Sequence, residues 1–306
     1  MSAARAAVVI VSFNTRDELL RGLASLEAVT VPIEVAVVDN ASADGSADAV
    51  AGRFPNVHVL RNAVNAGFGA ACNRGVAETT APFVLFLNSD AELRPGCLEA
   101  LLALMEARPR LGAAGPRTLE EDGAVQVSFG PDLTPLNEWR QRRLVHGVKR
   151  RLPSALRASA AAAAREHSPA WVSGACLLAR RAALEEVHGF DEGFFLYEED
   201  VDLCRRLRGS GWEVLFTPAA EAVHHLGRSV ARDPARARFE YHRSHLHFYA
   251  KHNGPLARLA LRTHVALTGL AGWMAALGPG AGRRARRADA ARLLRLAALG
   301  QKAPSR

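Results

Sequence analysis

Apolar residues in this chain come in short unbroken runs that stop on small polar residues, with helical periodicities between them. Residues 82–90 read PFVLFLNSD: Phe83 to Leu87 have no polar break, and Asn88, Ser89 and Asp90 follow. Such a run predicts a strand buried on both faces, as in a mostly parallel sheet. Residues 6–13 (AAVVIVSF) and 33–38 (IEVAVV) repeat the pattern, residues 57–60 add a short strand, and residues 18–26 carry helical spacing. Strands alternating with helices predict βαβ units, hence an α/β fold with a mostly parallel central sheet flanked by helices. Residues 171–178 read as a further strand and residues 212–216 as the last one, followed by Pro218. Helices are expected over residues 98–105, from Glu199 through Leu207, and beyond Phe239.

Two of these strands end on a carboxylate, Asp39 and Asp90. Ligands of open α/β sheets sit beyond the carboxyl ends of the strands, so both stand at the mouth of a candidate site. Asp90 is suited to hold Mg²⁺ or Mn²⁺ against substrate phosphates. The bland alternative is a cap for the next helix, since Pro95 and residues 98–105 follow. Asp39 is suited to accept hydrogen bonds from a base or ribose, with an Asx turn in DNASADGS as its alternative. Gly67 and Gly69 open a helix, where glycine lets the backbone approach a phosphate or a flat base. No GxGxxG follows the first strand and no Walker lysine is present, which excludes those two nucleotide-binding modes.

The segment GFDEGFFLYEEDVDL, residues 189–203, sets Glu198, Glu199, Asp200 and Asp202 beside Phe194, Phe195 and Tyr197. Acids in a first helical turn gain about 0.3–1 kcal/mol from the dipole, which explains them without function. The functional reading is a general base held at a helix start against an apolar wall. His224 and His225 precede a loop of residues 227–229. By themselves they read as a surface pair. The histidines at 242, 245 and 247 mix i+2 and i+3 steps, a poor metal cage. Residues 139–168 carry Arg140, Arg142, Arg143, Lys149, Arg150 and Arg151 and then an alanine run. A solvated helix accounts for them, and a mobile basic segment over an anionic acceptor is the competing reading.

Composition narrows the class. At 49% hydrophobic and 23% charged, the 306 residues have ample core material. Cys72, Cys97, Cys176 and Cys204 show no metal spacing and read as buried thiols in a reducing compartment. The opening residues run directly into a strand pattern, so no signal peptide is expected. Of the net charge of +8, eight basic residues and Asp289 between positions 283 and 306 carry most. The body is near neutral, which argues against nucleic acid and for a basic tail directed at an anionic surface.

VVIVSFN, VVDNASADGS, NAGFGAACNRG and FVLFLNSDAEL, in this order and spacing, resemble a family-2 glycosyltransferase of the GT-A fold, nearest its rhamnosyltransferase-like branch. The resemblance spans residues 6–252. It implies a catalytic domain over residues 1–252, with a nucleotide-sugar half (1–115) and an acceptor and catalytic half (116–252). It implies that Asp39 binds the base and Asp90 the metal and diphosphate, with Ser12, Asn14, Asn65, Gly67, Asn73, Asn88 and Ser89 completing the nucleotide-sugar site. Asn88 stands where many relatives of the fold carry a first aspartate, which leaves one carboxylate fewer. The family's Glu-Asp motif maps onto Glu199 and Asp200, with Asp200 as the base that deprotonates the acceptor. A histidine of the family's metal site maps onto His224, with His225 as the alternative.

The activity so implied is inverting, metal-dependent transfer of a sugar, rhamnose in this branch. The donor is a dTDP- or UDP-sugar and the acceptor a lipid-linked or polysaccharide glycan. A sugar-nucleotide pyrophosphorylase would want a glycine-rich loop and a basic residue directly after the first strand, which SFNTRDELL lacks. A non-catalytic membrane-surface scaffold would have no use for EEDVD beside aromatics. Residues 253–306 form a helical, basic extension. Its uncharged stretch, residues 265–277, is shorter than the roughly 20 residues of a spanning helix. An interfacial helix beside RRARR, peripheral on the cytoplasmic face of the plasma membrane, is expected, with a core helix as the alternative.

Overall fold

The computed structural model describes residues 3–225, 234–277 and 282–299. The chain forms two compact units, Met1–Asp191 with Asp200–Ser229, and Glu192–Glu199 with Val230–Arg306. The first holds the sheet. Strands β1 (Ala6–Ser12), β2 (Ile33–Asp39), β3 (His58–Arg61), β4 (Phe83–Asn88), β5 (Ala91–Leu93), β6 (Leu111–Leu119), β9 (Cys176–Arg180) and β10 (Glu213–His224) join in the order β3-β2-β1-β4-β9-β6-β10-β5. The pairs among β3, β2, β1 and β4 and the pair β6–β10 are parallel, whereas β9 and β5 run antiparallel to their neighbours. β7 (Phe129–Gly130) and β8 (Trp171–Val172) form a separate two-stranded ribbon.

The apolar runs sit centrally because only a strand covered on both faces can bury every residue. Successive side chains alternate between faces. Val8, Ile10, Leu85 and Leu87 therefore pack with Leu19 and Leu23 of α1 (Arg16–Ser25) and with Leu98, Leu101 and Met105 of α4 (Cys97–Ala107). Val9, Val84 and Phe86 face the other way, toward Phe190 and toward Leu203 and Leu207 of α8 (Glu199–Gly209). The helix α3 (Phe68–Ala77) starts behind Gly67, whose φ of 89° few L-residues adopt. All four cysteines are buried free thiols, and burial pushes Cys204 up to about 12.

Two strand expectations change. Residues 171–178 are not one strand: a turn at residues 173–175 separates β8 from β9, and the two halves join different sheets. The small residues Ser173, Gly174 and Ala175 permit that break. Nor does β10 stop at Phe216. It runs past Pro218 to His224 because the ladder with β6 shifts register between Thr217 and Glu221. At such a bulge a missing proline N–H breaks no ladder bond. Arg117 on β6 clamps Glu221 just beyond it, with Nε 2.8 Å from Oε1.

The basic segment forms two exposed helices, α5 (Pro135–Lys149) and α6 (Pro153–Ala162). Glu138 pairs with Arg142, Arg143 lies over Trp139, and Arg151 reaches Glu120 and Asp122. In the second unit, α9 (Pro234–His252), α10 (Pro255–Ala275) and α11 (Arg283–Leu299) follow. The α9 histidines are aromatic and ionic packing partners: His245 pairs with Glu198 and stacks on Tyr241, and His247 meets Phe194 edge-on. α10 buries Leu261, Val265 and Gly269, with a Cβ at Gly269 lying 3.0 Å from Leu294 of α11.

Gly75 lets α3 lie against the sheet, since an added Cβ would sit 2.5 Å from Val9 Cγ1 and 3.2 Å from Val38 Cγ2. Gly75→Ala gains roughly 0.5–1 kcal/mol of helix propensity, but overpacking costs about 1–3 kcal/mol. A net loss of stability is expected as a lower urea midpoint. An unchanged or higher midpoint would mean that α3 lies farther from the sheet.

Candidate active site

The central parallel strands end level with one another. Register pairs Ser12 with Asp39 and Val11 with Asn88, so the residues that follow gather at one edge of the sheet. The loops after β1 and β2 are cross-bonded: Asn14 N–H donates to Ser42 Oγ at 2.9 Å, and Asn14 Oδ1 accepts from Ala43 N–H at 2.7 Å. Asn14 and Ala41 both hold positive φ, a strain of about 1–3 kcal/mol each that surrounding bonds must hold and that clusters at functional sites.

Asp39 is 5% exposed. Its Oδ2 accepts from Ser42 N–H at 3.2 Å, and its buried Oδ1 has no hydrogen-bond partner among the described residues. A buried acceptor left so costs about 1–3 kcal/mol, which a ligand N–H would relieve. Next to it, Asn40 donates to Asn65 Oδ1 and Gly67 O and accepts from Asn62 Nδ2 and Ala66 N–H. All four of its bonds are made. Asn40 and Asn65 thereby hold the loop leading to α3. Asn73 was expected in the nucleotide-sugar site, yet its amide both donates to Phe190 O and accepts from Phe190 N–H, each at 2.9 Å. In this arrangement it anchors residues 189–190. Ser12, Thr15 and Ser89 form a hydroxyl chain under the strand ends, at 3.1 and 2.8 Å.

Asp90 caps no helix, since α4 begins only at Cys97 behind Gly96. Its Oδ1 lies 3.2 Å from Nε2 of His224, delivered by the last residue of β10. Asn88 Nδ2 also reaches that nitrogen, at 3.3 Å, and Gln126 Oε1 lies 2.9 Å from Nδ1 of the same ring. His225 turns elsewhere, with Nε2 2.7 Å from Glu92 and Nδ1 2.5 Å from Glu121. His224 is therefore the histidine that faces Asp90. Residues 227–229 lie outside the described residues.

A carboxylate beside an imidazole suits a divalent cation. Among the described residues no group of three or more His, Cys, Asp or Glu side chains gathers for a metal. Asp90 and His224 could supply two ligands, which would fit an ion whose other ligands are substrate phosphates and water.

Asp200 sits in the first turn of α8. Its Oδ2 accepts from Gly174 N–H at 2.7 Å and its Oδ1 from Val201 N–H at 2.8 Å. One residue further on, Ala175 O accepts from Asn88 N–H at 2.9 Å. The turn that splits residues 171–178 thus binds Asp200 through the N–H of Gly174 and the end of β4 through the carbonyl of Ala175. Burial raises the proton affinity of Asp200 above its ordinary value, opposed by those N–H groups. Asp202 is fully buried and bonded to Arg206, at 2.6 Å, so it serves the packing of α8. Glu199 is buried too, and its charge adds to burial in pushing the Tyr197 phenol up. The residues that sequence reasoning missed are Asn40, Thr15, Gln126 and Gly174. Asn40 lay inside a named motif and Thr15 next to one, but nothing local marks Gln126.

The family model "Glycosyl transferase family 2" matches residues 7–187. An N-acetylglucosaminyl-diphospho-decaprenol L-rhamnosyltransferase of Mycobacterium tuberculosis is 36% identical over 299 residues, covering 84% of this chain and 91% of that protein. Among solved structures, a mannosyltransferase of Pyrobaculum calidifontis in complex with GDP-Man and Mn²⁺ aligns with TM-score 0.56 at 18% identity, over 96% of this chain and 86% of that one. GalNAc-T7 with UDP, GalNAc and Mn²⁺ aligns with TM-score 0.52 at 17% identity, over 72% of this chain and 43% of that one. At such identities the two structures speak to fold alone.

Because burial outweighs the backbone N–H bonds at Asp200, its carboxyl should titrate above the ordinary aspartate value. A ¹³C-NMR titration, assigned with Asp200→Asn, checks this. Gly174→Pro removes the 2.7 Å donor and should move the midpoint higher still. A midpoint at or below the ordinary value would mean that the N–H groups win.

Proposed function

We propose that this chain, which belongs to glycosyl transferase family 2, transfers an L-rhamnosyl group with inversion from dTDP-rhamnose to a prenyl-diphosphate-linked N-acetylglucosamine. The carrying observation is the meeting of Asp90 and His224 at 3.2 Å, at the same sheet edge as Asp39. The acceptor follows the relative's printed activity, and the rhamnosyl donor follows from it. A UDP-sugar is the alternative donor. The GT-A fold, shared with the two solved glycosyltransferases, supports a nucleotide-sugar site at that edge.

Asp39, with its unpartnered Oδ1, accepts the N–H of a pyrimidine base. Gly67 and the network around Asn40 keep the loop backbone close to the donor. Asp200 takes the proton of the acceptor hydroxyl as that oxygen attacks the anomeric carbon. The C–O bond to the nucleoside diphosphate breaks on the opposite face, which inverts the centre. A general base near its operating pH is worth about 10² to 10⁴-fold, and a raised proton affinity moves a carboxylate toward that optimum. Asp90 and His224 would hold the divalent ion, Mg²⁺ or Mn²⁺, which offsets charge on the departing diphosphate.

The second unit supports a membrane location for a lipid-linked acceptor. α10 buries one narrow face and leaves Leu256, Leu259, Leu267, Leu270, Trp273 and Met274 exposed. No described helix is long and apolar enough to cross a membrane. An exposed apolar helix face beside Arg283, Arg284, Arg286 and Arg287, also exposed, has the two elements of peripheral attachment. The surface proposed is the anionic cytoplasmic leaflet. Each basic residue near it contributes about 1 kcal/mol, screened by salt.

Asp200→Asn should lose transfer by about 10²-fold or more while keeping dTDP-sugar affinity, since the base acts on the acceptor. Asp90→Ala should instead weaken metal-dependent dTDP binding. Product assay and calorimetry read the two separately. Substantial transfer by Asp200→Asn would remove it as the base, and equal dTDP affinity for Asp90→Ala would remove Asp90 from the diphosphate site.

Full-length protein should co-sediment with anionic vesicles at low salt and release at high salt. Charging the apolar face by Leu267→Glu with Leu270→Glu should abolish binding while dTDP binding persists. Indifference of the full-length protein to anionic vesicles at low salt would rule out attachment through α10.

A further inference from the structure

Gln126 follows the hairpin turn after β6: its N–H donates to Thr118 O at 2.9 Å, and Leu119 bridges Val125. Its side chain is half-buried. Oε1 lies 2.9 Å from His224 Nδ1, and Nε2 is buried with no hydrogen-bond partner among the described residues. The amide does one thing here. It holds the imidazole.

The direction of that bond matters. An amide oxygen only accepts, so Nδ1 must carry the hydrogen. A neutral imidazole then has its lone pair on Nε2, and the contact on the far side agrees: Asn88 Nδ2 donates toward Nε2 at 3.3 Å. An aspartate in place of Asn88 would offer that nitrogen no N–H. The lone pair also faces Asp90 Oδ1 at 3.2 Å. A ring nitrogen and a carboxylate oxygen so placed can ligate one divalent cation together. Such an arrangement, with one ring nitrogen tied to an acceptor and the other aimed beside a carboxylate, is how a histidine is oriented for a metal.

We propose that Gln126 is the positioning residue of the metal site, setting the tautomer and ring orientation of His224 so that Nε2 is presented to a divalent cation beside Asp90. The inference rests on the metal-dependent reading above and extends it to a residue that touches neither donor nor acceptor there. It also accounts for Asn88: with one carboxylate fewer, the imidazole is a principal ligand, and its orientation weighs more in affinity.

Two substitutions separate this role from packing. Gln126→Met keeps the volume but cannot accept from Nδ1–H. Gln126→Glu keeps an acceptor and adds a charge that makes the imidazole a stronger ligand. Mn²⁺ affinity is read from the EPR signal of the free ion, with dTDP present, in wild type and both variants, alongside thermal melting. Gln126→Met should weaken Mn²⁺ binding about 10- to 100-fold, while Gln126→Glu binds as well as wild type or better. Binding of dTDP without metal should be unchanged in all three.

Packing alone predicts the reverse order, because a buried uncompensated charge is worse tolerated than methionine. Wild-type affinity in Gln126→Met overturns the inference while leaving the metal reading intact. So does a loss confined to Gln126→Glu. If Gln126→Met does not fold, Gln126→Ala repeats the comparison under the same criteria. Absence of Mn²⁺ binding in wild type with dTDP would instead sink the metal reading and the inference with it.

Discussion

Burial of β4 on both faces is the constraint from which the site follows. Five consecutive apolar residues can be covered only by a central strand with helices on either side, and their alternation locks the register to β1. A slip by one residue would carry Val84 and Phe86 into the cluster of Leu85 and Leu87, and the converse. With the register locked, β1, β2 and β4 end together, so Ser12 stands beside Asp39 and Val11 beside Asn88. The polar residues are thereby gathered at an edge that apolar packing has placed.

The second half of the site comes from a strand that runs on where a proline would ordinarily end it. The bulge between Thr217 and Glu221 absorbs Pro218, the Arg117–Glu221 pair holds the chain beyond it, and β10 continues to His224. The neighbouring histidine is drawn off by Glu92 and Glu121, so two adjacent residues of one type meet different fates. Asp200 reaches the same end of the sheet through the turn at residues 173–175. Gly174 N–H of that turn binds its carboxylate and Ala175 O binds Asn88 N–H. Burial and backbone N–H groups pull its proton affinity in opposite directions, and burial is the stronger.

The sequence by itself determined the buried strands, the polar residues at their ends, the acidic start of α8 and, through four motifs in order, the family. These are local facts: a strand's burial, a turn's composition and a helix's first turn are written in consecutive residues. Tertiary structure decided what depends on distant partners. His224 and not His225 faces Asp90 because β5 and β10 pair antiparallel and bring Glu92 toward the second ring. Asn73 anchors Phe190 because α3 crosses the sheet beside residues 189–190. Gln126 carries no local signal at all, since a glutamine in a hairpin reads as solvent-facing until the end of β10 arrives against it. Whether the apolar face of α10 is inner or outer was likewise undetermined by periodicity, which reports that a face exists but not what covers it. The helix buries Leu261, Val265 and Gly269, the last against Leu294 of α11, and leaves the leucine and tryptophan side exposed.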